Sequence, residues 1–352
     1  MRTEKSAGIY INEDKMSIFK FKKMYLPNGT HEEIYVEIGG ISQFMQIRGN
    51  DITNPVVLWL HGGPGFPLTY MNYYYQQKLE KDFTIVCLEQ RGCGRTYYKN
   101  NKIANATIDI LLSDLDNVVE YLKDRFNKDK IIIMGQSWGT VIGMKYLEKN
   151  PHNVAAYFGI GQVTQFALGK LYSAKKASIV AQNQGKTKDV DYLNKLYDDF
   201  SSVTSMDNIN IKKLEKMIIY SDKYLKSRGE MSPFKRITTA LFSPHMNFYD
   251  AKWFMFASST KNIISTQREL MEYLYFGFNI YDIVLPDNVP LFFIQGDCDY
   301  ITPTDMVQEF YDSIKVNSTD MIIIEKAGHT PFLDNPEVFC ESVKKCNGGA
   351  LC

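Results

Sequence analysis

The chain has 352 residues, 45% of them hydrophobic and 13% aromatic, which supplies a large core and excludes a disordered chain. Lys plus Arg number 40 and Asp plus Glu number 40, so no net charge draws the protein toward phosphates, and nucleic acid is not an expected partner. Charges interrupt the segment from Met1 to Lys20, and no apolar run reaches the roughly 18 residues of a membrane span, so a soluble, cytoplasmic protein without membrane contact is expected.

Taken in order, Glu33 to Ile38 and Phe44 to Arg48 alternate polar and apolar residues about Gly39-Gly40, which predicts an antiparallel hairpin. Val56 to Leu60 and Thr84 to Leu88 are continuously apolar, as strands buried on both faces are. Ile108, Leu111, Leu112, Leu115, Val118, Val119 and Leu122 recur at the spacing of one helix face and predict a crossover helix. Buried strands are expected again at Lys130 to Met134 and Ala155 to Ile160. From about Thr164 to Pro286 no buried strand is legible, only helical patterns rich in Lys, Asp, Tyr and Phe. The sheet resumes with Leu291 to Ile294 and Met321 to Ile324. Residues 1–163 and 287–352 therefore form the expected core, a mostly parallel, doubly wound α/β sheet, and 164–286 an inserted helical cap. The tail after Val343, with Gly348 and Gly349, is expected to be poorly ordered.

Two of the buried strands empty into glycine-rich turns. Lys130 to Met134 runs into Gly135-Gln136-Ser137-Trp138-Gly139 and then a helical pattern, which is GxSxG between strand and helix. A serine on so sharp a turn is the expected nucleophile, and the glycines on either side admit the neighbouring elements. Val56 to Leu60 runs into His61-Gly62-Gly63-Pro64-Gly65, an expected oxyanion loop whose backbone N–H groups stabilise a developing negative charge. The N–H of Trp138 pairs with that of Gly63, with Gly62 as second choice. His61 is expected to fix the loop.

The two late strands end in loops carrying acids and a histidine. Gly296-Asp297-Cys298-Asp299 follows one, and Gly328-His329 follows the other, giving the chain order serine, acid, histidine that an α/β-hydrolase sheet requires. Asp299 fits the acid better than Asp297 by its spacing from Gly296 and to Pro303. His329 is the expected base, because His31, His152 and His245 follow no late buried strand. The cysteines form no CxxC pair; free thiols are expected, with a Cys346–Cys352 bridge as the alternative, and neither metal nor cofactor is assigned.

These motifs together resemble the proline iminopeptidase family of α/β-hydrolases, over roughly Val56 to Val163 and Pro290 to Val343. HGGPG at His61–Gly65, QRGCG at Gln90–Gly94, GQSWG at Gly135–Gly139, GDCD at Gly296–Asp299 and GHTPFLDNP at Gly328–Pro336 carry the likeness. The resemblance implies a serine aminopeptidase that releases an N-terminal residue from short peptides, with Ser137, Asp299 and His329 at the family's triad positions. Glu89 stands where the family usually has aspartate. The cap shows no counterpart of the Trp-Glu element with which known members hold the substrate's amine. For that role Glu269 and Glu272, on one side of a helix with Tyr273 and Phe276, are the best placed by sequence, against the plainer reading of a solvated acidic face. Cap aromatics such as Trp253, Phe254, Phe256 and Tyr275 either line a pocket over the serine or form the cap's own core. A carboxylesterase or lactonase on small apolar esters, and a silent ligand-binding protein, are the alternatives. Oligomeric state is left open.

Overall fold

The computed structural model describes residues 10–11, 28–104, 106–226, 229–316 and 318–350. One nine-stranded sheet organises them. Its strands are β1 (Tyr10–Ile11), β2 (Thr30–Ile38), β3 (Ile41–Gly49), β4 (Val56–Leu60), β5 (Thr84–Glu89), β6 (Ile131–Gln136), β7 (Val154–Ile160), β8 (Leu291–Gly296) and β9 (Thr319–Ile324). They lie in the order β1-β2-β3-β5-β4-β6-β7-β8-β9. The first four neighbours pair antiparallel, and every pairing from β5 to β9 is parallel. At the hairpin between β2 and β3, Ile38 pairs with Ile41 across Gly39 and Gly40, both at positive φ.

Helices α1 (Gly94–Lys99), α2 (Ile108–Phe126) and α3 (Trp138–Lys149) connect the central strands. Between β7 and β8 stand α4 (Phe166–Asn183), α5 (Thr187–Ser201), α6 (Ile211–Leu225), α7 (Pro233–Leu241), α8 (Phe248–Ala257) and α9 (Thr260–Glu272), with no strand among the described residues. The chain closes with α10 (Thr304–Ser313), α11 (Pro331–Asp334) and α12 (Pro336–Ala350).

Alternation along the strands explains why both sheet faces are covered. Val56, Leu58 and Leu60 of β4 join a core with Leu115 and Val119 of α2 and Val141 of α3. Val57 and Trp59, pointing the other way, join Phe332, Phe339, Cys340 and Val343. That second core corrects the expected tail. The chain beyond Val343 continues as α12, because Cys346 recurs at helical spacing after Phe339 and Val343 and is buried in the same core. Among the described residues no disulfide forms, and Cys346 carries a thiol. The expected alternative bridge to Cys352 falls outside the described residues.

Topology decides where a site can form. Strand β4 has β5 on one side and β6 on the other, so the crossovers leaving this region diverge and open a crevice at the carboxyl ends of β4 and β6. The turn 61–65 and Ser137 both stand there.

Candidate active site

Ser137 holds φ 52° and ψ −118° between β6 and α3, a strained conformation for a residue with a Cβ. The flanking glycines make it possible. A Cβ on Gly139 would lie 2.0 Å from the Leu60 carbonyl oxygen, and one on Gly135 would lie 2.5 Å from the Gly139 oxygen. The turn is thereby pressed against the end of β4, and a Cβ on Gly62 would stand 3.2 Å from that of Ser137. The Ser137 N–H donates to the Ile160 carbonyl at 2.9 Å, tying the serine to the end of β7.

Trp138 is the first residue of α3, so its N–H has no acceptor within the helix. Its buried indole donates to Gln90 Oε1 at 3.1 Å. Gly63 holds φ +125° in the neighbouring turn. His61 is buried with Nδ1 2.8 Å from the Gly62 carbonyl and Nε2 3.2 Å from the Gln90 N–H, and burial lowers its pKa to about 4. A neutral ring donating through Nδ1 and accepting at Nε2 satisfies both contacts and braces the loop.

Asp299 and His329 meet at the ends of β8 and β9. His329 Nδ1 lies 2.8 Å from Asp299 Oδ2, and Thr302 Oγ1 donates to the same oxygen at 2.7 Å. Asp299 Oδ1 accepts the N–H groups of Ile301 and Thr302 at 2.9 and 3.0 Å. Burial pushes the carboxyl's pKa up, but the His329 ring and the Thr302 donors outweigh it and hold the pKa below the ordinary aspartate value. Asp297 is exposed and bonds the Ala327 N–H at 3.1 Å instead. The histidine and the serine share a neighbour, since a Cβ on Gly161 would lie 2.9 Å from His329 Cε1, one residue beyond the carbonyl that receives the Ser137 N–H. With Nδ1 on the aspartate, Nε2 is left for proton exchange.

The helices between β7 and β8 touch the glycine turns. Trp253 Nε1 donates to the Gly65 carbonyl at 2.9 Å, and Gln267 Nε2 to the Gly92 carbonyl at 2.6 Å. Trp253 is buried with Cys93, Tyr97 and Ile263, and Tyr275 lies in the main core, so these two aromatics serve packing, whereas Phe254 is exposed. Glu89 is fully buried, accepting the Thr69 hydroxyl and the Arg95 N–H at 2.5 Å each. Burial and the Asp250 carboxylate raise its pKa to about 7.

Among the described contacts, Glu269 and Glu272 make none with Ser137 or His329. Glu269 is exposed, and Glu272 Oε2 accepts the Met206 N–H at 2.7 Å. Helix α9 departs from helical geometry at Gln267, whose side chain rather than theirs turns toward the loops. A different carboxylate packs on the residue before His329. Glu230 packs on Gly328, where a Cβ would stand 2.5 Å from Glu230 Oε1. Its only sequence signal is an acid in the segment before Pro233, which spacing rules do not single out.

A parallel sheet bearing a strained serine after β6, a glycine-rich turn after β4 and an aspartate–histidine pair after β8 and β9 has the architecture of an α/β-hydrolase. The chain belongs to that family: the profile described as alpha/beta hydrolase fold matches residues 55–336. A Bacillus subtilis (strain 168) protein named "Probable aminopeptidase YbaC" is 27% identical over 320 residues, 88% of this chain and 94% of that protein. The proline iminopeptidase of Lactobacillus delbrueckii subsp. lactis is 29% identical over 116 residues, 33% of this chain and 38% of that enzyme. Among solved structures, a proline iminopeptidase-related protein from Thermus thermophilus superposes with a TM-score of 0.60 at 16% identity, covering 91% of this chain and 98% of that one. An epoxide hydrolase from Vigna radiata superposes at 0.53 and 17% identity, over 92% of this chain and 99% of that one; likenesses at this level concern the fold.

Proposed function

We propose that the protein is a serine aminopeptidase acting near the free amino terminus of short peptides, with helices α4 to α9 as a cap over the site. The observation that carries the reading is the Asp299–His329 pair beside a serine at positive φ. In the first step Ser137 Oγ attacks the scissile carbonyl carbon while His329 Nε2 takes the hydroxyl proton. The carbonyl oxygen gains the negative charge and is held by the N–H groups of Trp138 and Gly63. Collapse of the tetrahedral intermediate breaks the C–N bond, and the imidazolium returns its proton to the leaving amine. Water then repeats the sequence on the acyl-enzyme and releases the N-terminal residue. Asp299 fixes the ring's tautomer and stabilises its charged form.

An aminopeptidase must also bind an ammonium in a partly closed pocket, which calls for a carboxylate nearby. Glu230, pressed on the residue before His329, takes that role in this reading. The relative named as an aminopeptidase, matched over most of both chains, supports peptide over ester as substrate. The test is turnover of aminoacyl arylamides against p-nitrophenyl esters, with fluorophosphonate labelling of wild type and Ser137→Ala. Arylamide turnover together with labelling lost in Ser137→Ala is expected. Ester turnover alone would move the protein to the esterases, and an unchanged label in the variant would remove Ser137 as nucleophile.

A further inference from the structure

Two peptide groups that donate to Asp299 are gripped from behind by one helix. The amide joining Tyr300 to Ile301 gives its N–H to Asp299 Oδ1 at 2.9 Å, while its carbonyl oxygen accepts the Ser173 hydroxyl at 2.7 Å. The next amide, Ile301 to Thr302, gives its N–H to the same oxygen at 3.0 Å, and its carbonyl oxygen lies 3.3 Å from Lys170 Nζ. Ser173 and Lys170 are three residues apart on α4, one turn of the same face, and both are buried. The helix backbone comes close enough to the loop that a Cβ on Gly169 would stand 3.1 Å from Pro303 Cδ.

A donor on an amide's oxygen polarises that amide and strengthens the bond made by its N–H, and a charged donor does so more. We propose that Lys170 and Ser173 are positioning residues that fix the two amides holding Asp299, so that α4 sets the orientation of the acid and through it of His329. The proposal rests on the reading of Asp299 as the orienting acid. A buried ammonium whose hydrogen bond is to a backbone carbonyl is otherwise a cost to the fold. Burial pulls the Lys170 pKa down to about 8 against the opposing pull of Asp299 and of Asp222 on α6, and the side chain lies 4.4 Å from the Phe166 ring centroid.

The experiment uses the full chain with Lys170→Met, Lys170→Arg, Ser173→Ala, Asp222→Asn and Asp299→Asn. Steady-state kinetics on an aminoacyl arylamide across pH are combined with the downfield proton resonance of the imidazole Nδ1–H, which needs no substrate. Lys170→Met and Ser173→Ala should each lower kcat about tenfold, the loss of one hydrogen bond made to a charged group or its amide, with KM changed less than about twofold. Both should move the downfield resonance, and Lys170→Met, by removing a cation that faces Asp299 and Asp222, should shift the acidic limb of kcat/KM to higher pH. Lys170→Arg should recover most of kcat, and Asp222→Asn should leave the resonance in place. A rise in KM at constant kcat, or an unmoved resonance, would overturn the proposal. If Lys170→Met does not fold, Ser173→Ala decides alone. If Asp299→Asn cripples turnover while the α4 variants do not, only this proposal fails; if Asp299→Asn keeps full turnover, the underlying reading of the acid fails with it.

Discussion

Glu230 and Gly328 are packed so closely that any side chain at position 328 displaces the carboxylate, a Cβ there falling 2.5 Å from Glu230 Oε1 and 2.8 Å from its Cδ. The glycine before His329 thus makes room for an acid from the segment leading into α7. Glu230→Gln is predicted to raise KM for free-amine arylamides about tenfold to a hundredfold, the worth of one hydrogen bond to a charge, and to leave a neutral ester nearly unchanged. Gly328→Ala should show the same selectivity more weakly. Equal losses on both substrates would remove Glu230 from amine binding.

The two acids of the β8 loop should behave differently. Asp299 touches His329, whereas Asp297 holds the Ala327 N–H. Asp299→Asn should lower kcat on the order of 10⁴-fold through the wrong ring tautomer. Asp297→Asn should cost less than about tenfold, because an amide oxygen still accepts that backbone N–H. Purified variants assayed on one substrate settle the ranking, and the reverse order would move the acid to Asp297.

Much of this arrangement is legible in the sequence because it is local. Continuous apolar runs at Val56–Leu60 and Leu291–Ile294 mark strands buried on both faces, and the glycines around Ser137 are demanded by backbone within a few residues or at the end of β4. What escapes is set by packing between distant segments. Lys170 and Ser173 meet the β8 loop across 131 and 127 residues of chain, Glu230 meets Gly328 from the helical insertion, and no spacing rule encodes such contacts. Helical spacing places Glu269 and Glu272 on one side of α9 but does not say which side faces the site, and it does not anticipate the departure from helical geometry at Gln267, two residues before Glu269. The tail is misread for the opposite reason: Gly348 and Gly349 look like breakers, while the burial of Phe339, Val343 and Cys346 carries the helix forward.

Gly139 tests the steric account of the serine turn. A Cβ there meets the Leu60 oxygen at 2.0 Å, and that backbone is fixed by parallel pairing of β4 with β5 and β6. Gly139→Ala should therefore cost about 3 kcal/mol or more, as overpacking against an immovable group does. Gly185 makes the control: it has φ +68° and nothing within 4 Å of its would-be Cβ, so Gly185→Ala should cost only about 1 kcal/mol of backbone strain. Urea unfolding of both variants makes the comparison, and similar midpoints would contradict it.

The last prediction concerns acid stability. Glu33 on β2 faces His245 and Arg95, and Arg95 in turn binds Asp250 of α8, so this cluster ties the helices after β7 to the sheet edge. Burial pushes the Glu33 pKa up, but the His245 hydrogen bond and the Arg95 charge win and lower it from 4.5 to about 2. A folded pKa below the unfolded one means that the unfolded chain binds the extra proton first. The stabilisation is therefore fully present above pH 4.5 and is lost as pH falls through 2. Glu89 acts in the opposite sense: with its pKa raised to about 7 by burial, the folded state keeps the proton longer, and stability declines as pH rises from 4.5 to 7. Urea midpoints measured from pH 2 to 8 should accordingly fall on the acid side in wild type and fall less steeply in Glu33→Gln, while Glu89→Gln should flatten only the decline between pH 4.5 and 7. An acid limb in Glu33→Gln as steep as that of wild type would show that this ion pair does not hold the sheet edge and α8 together at low pH.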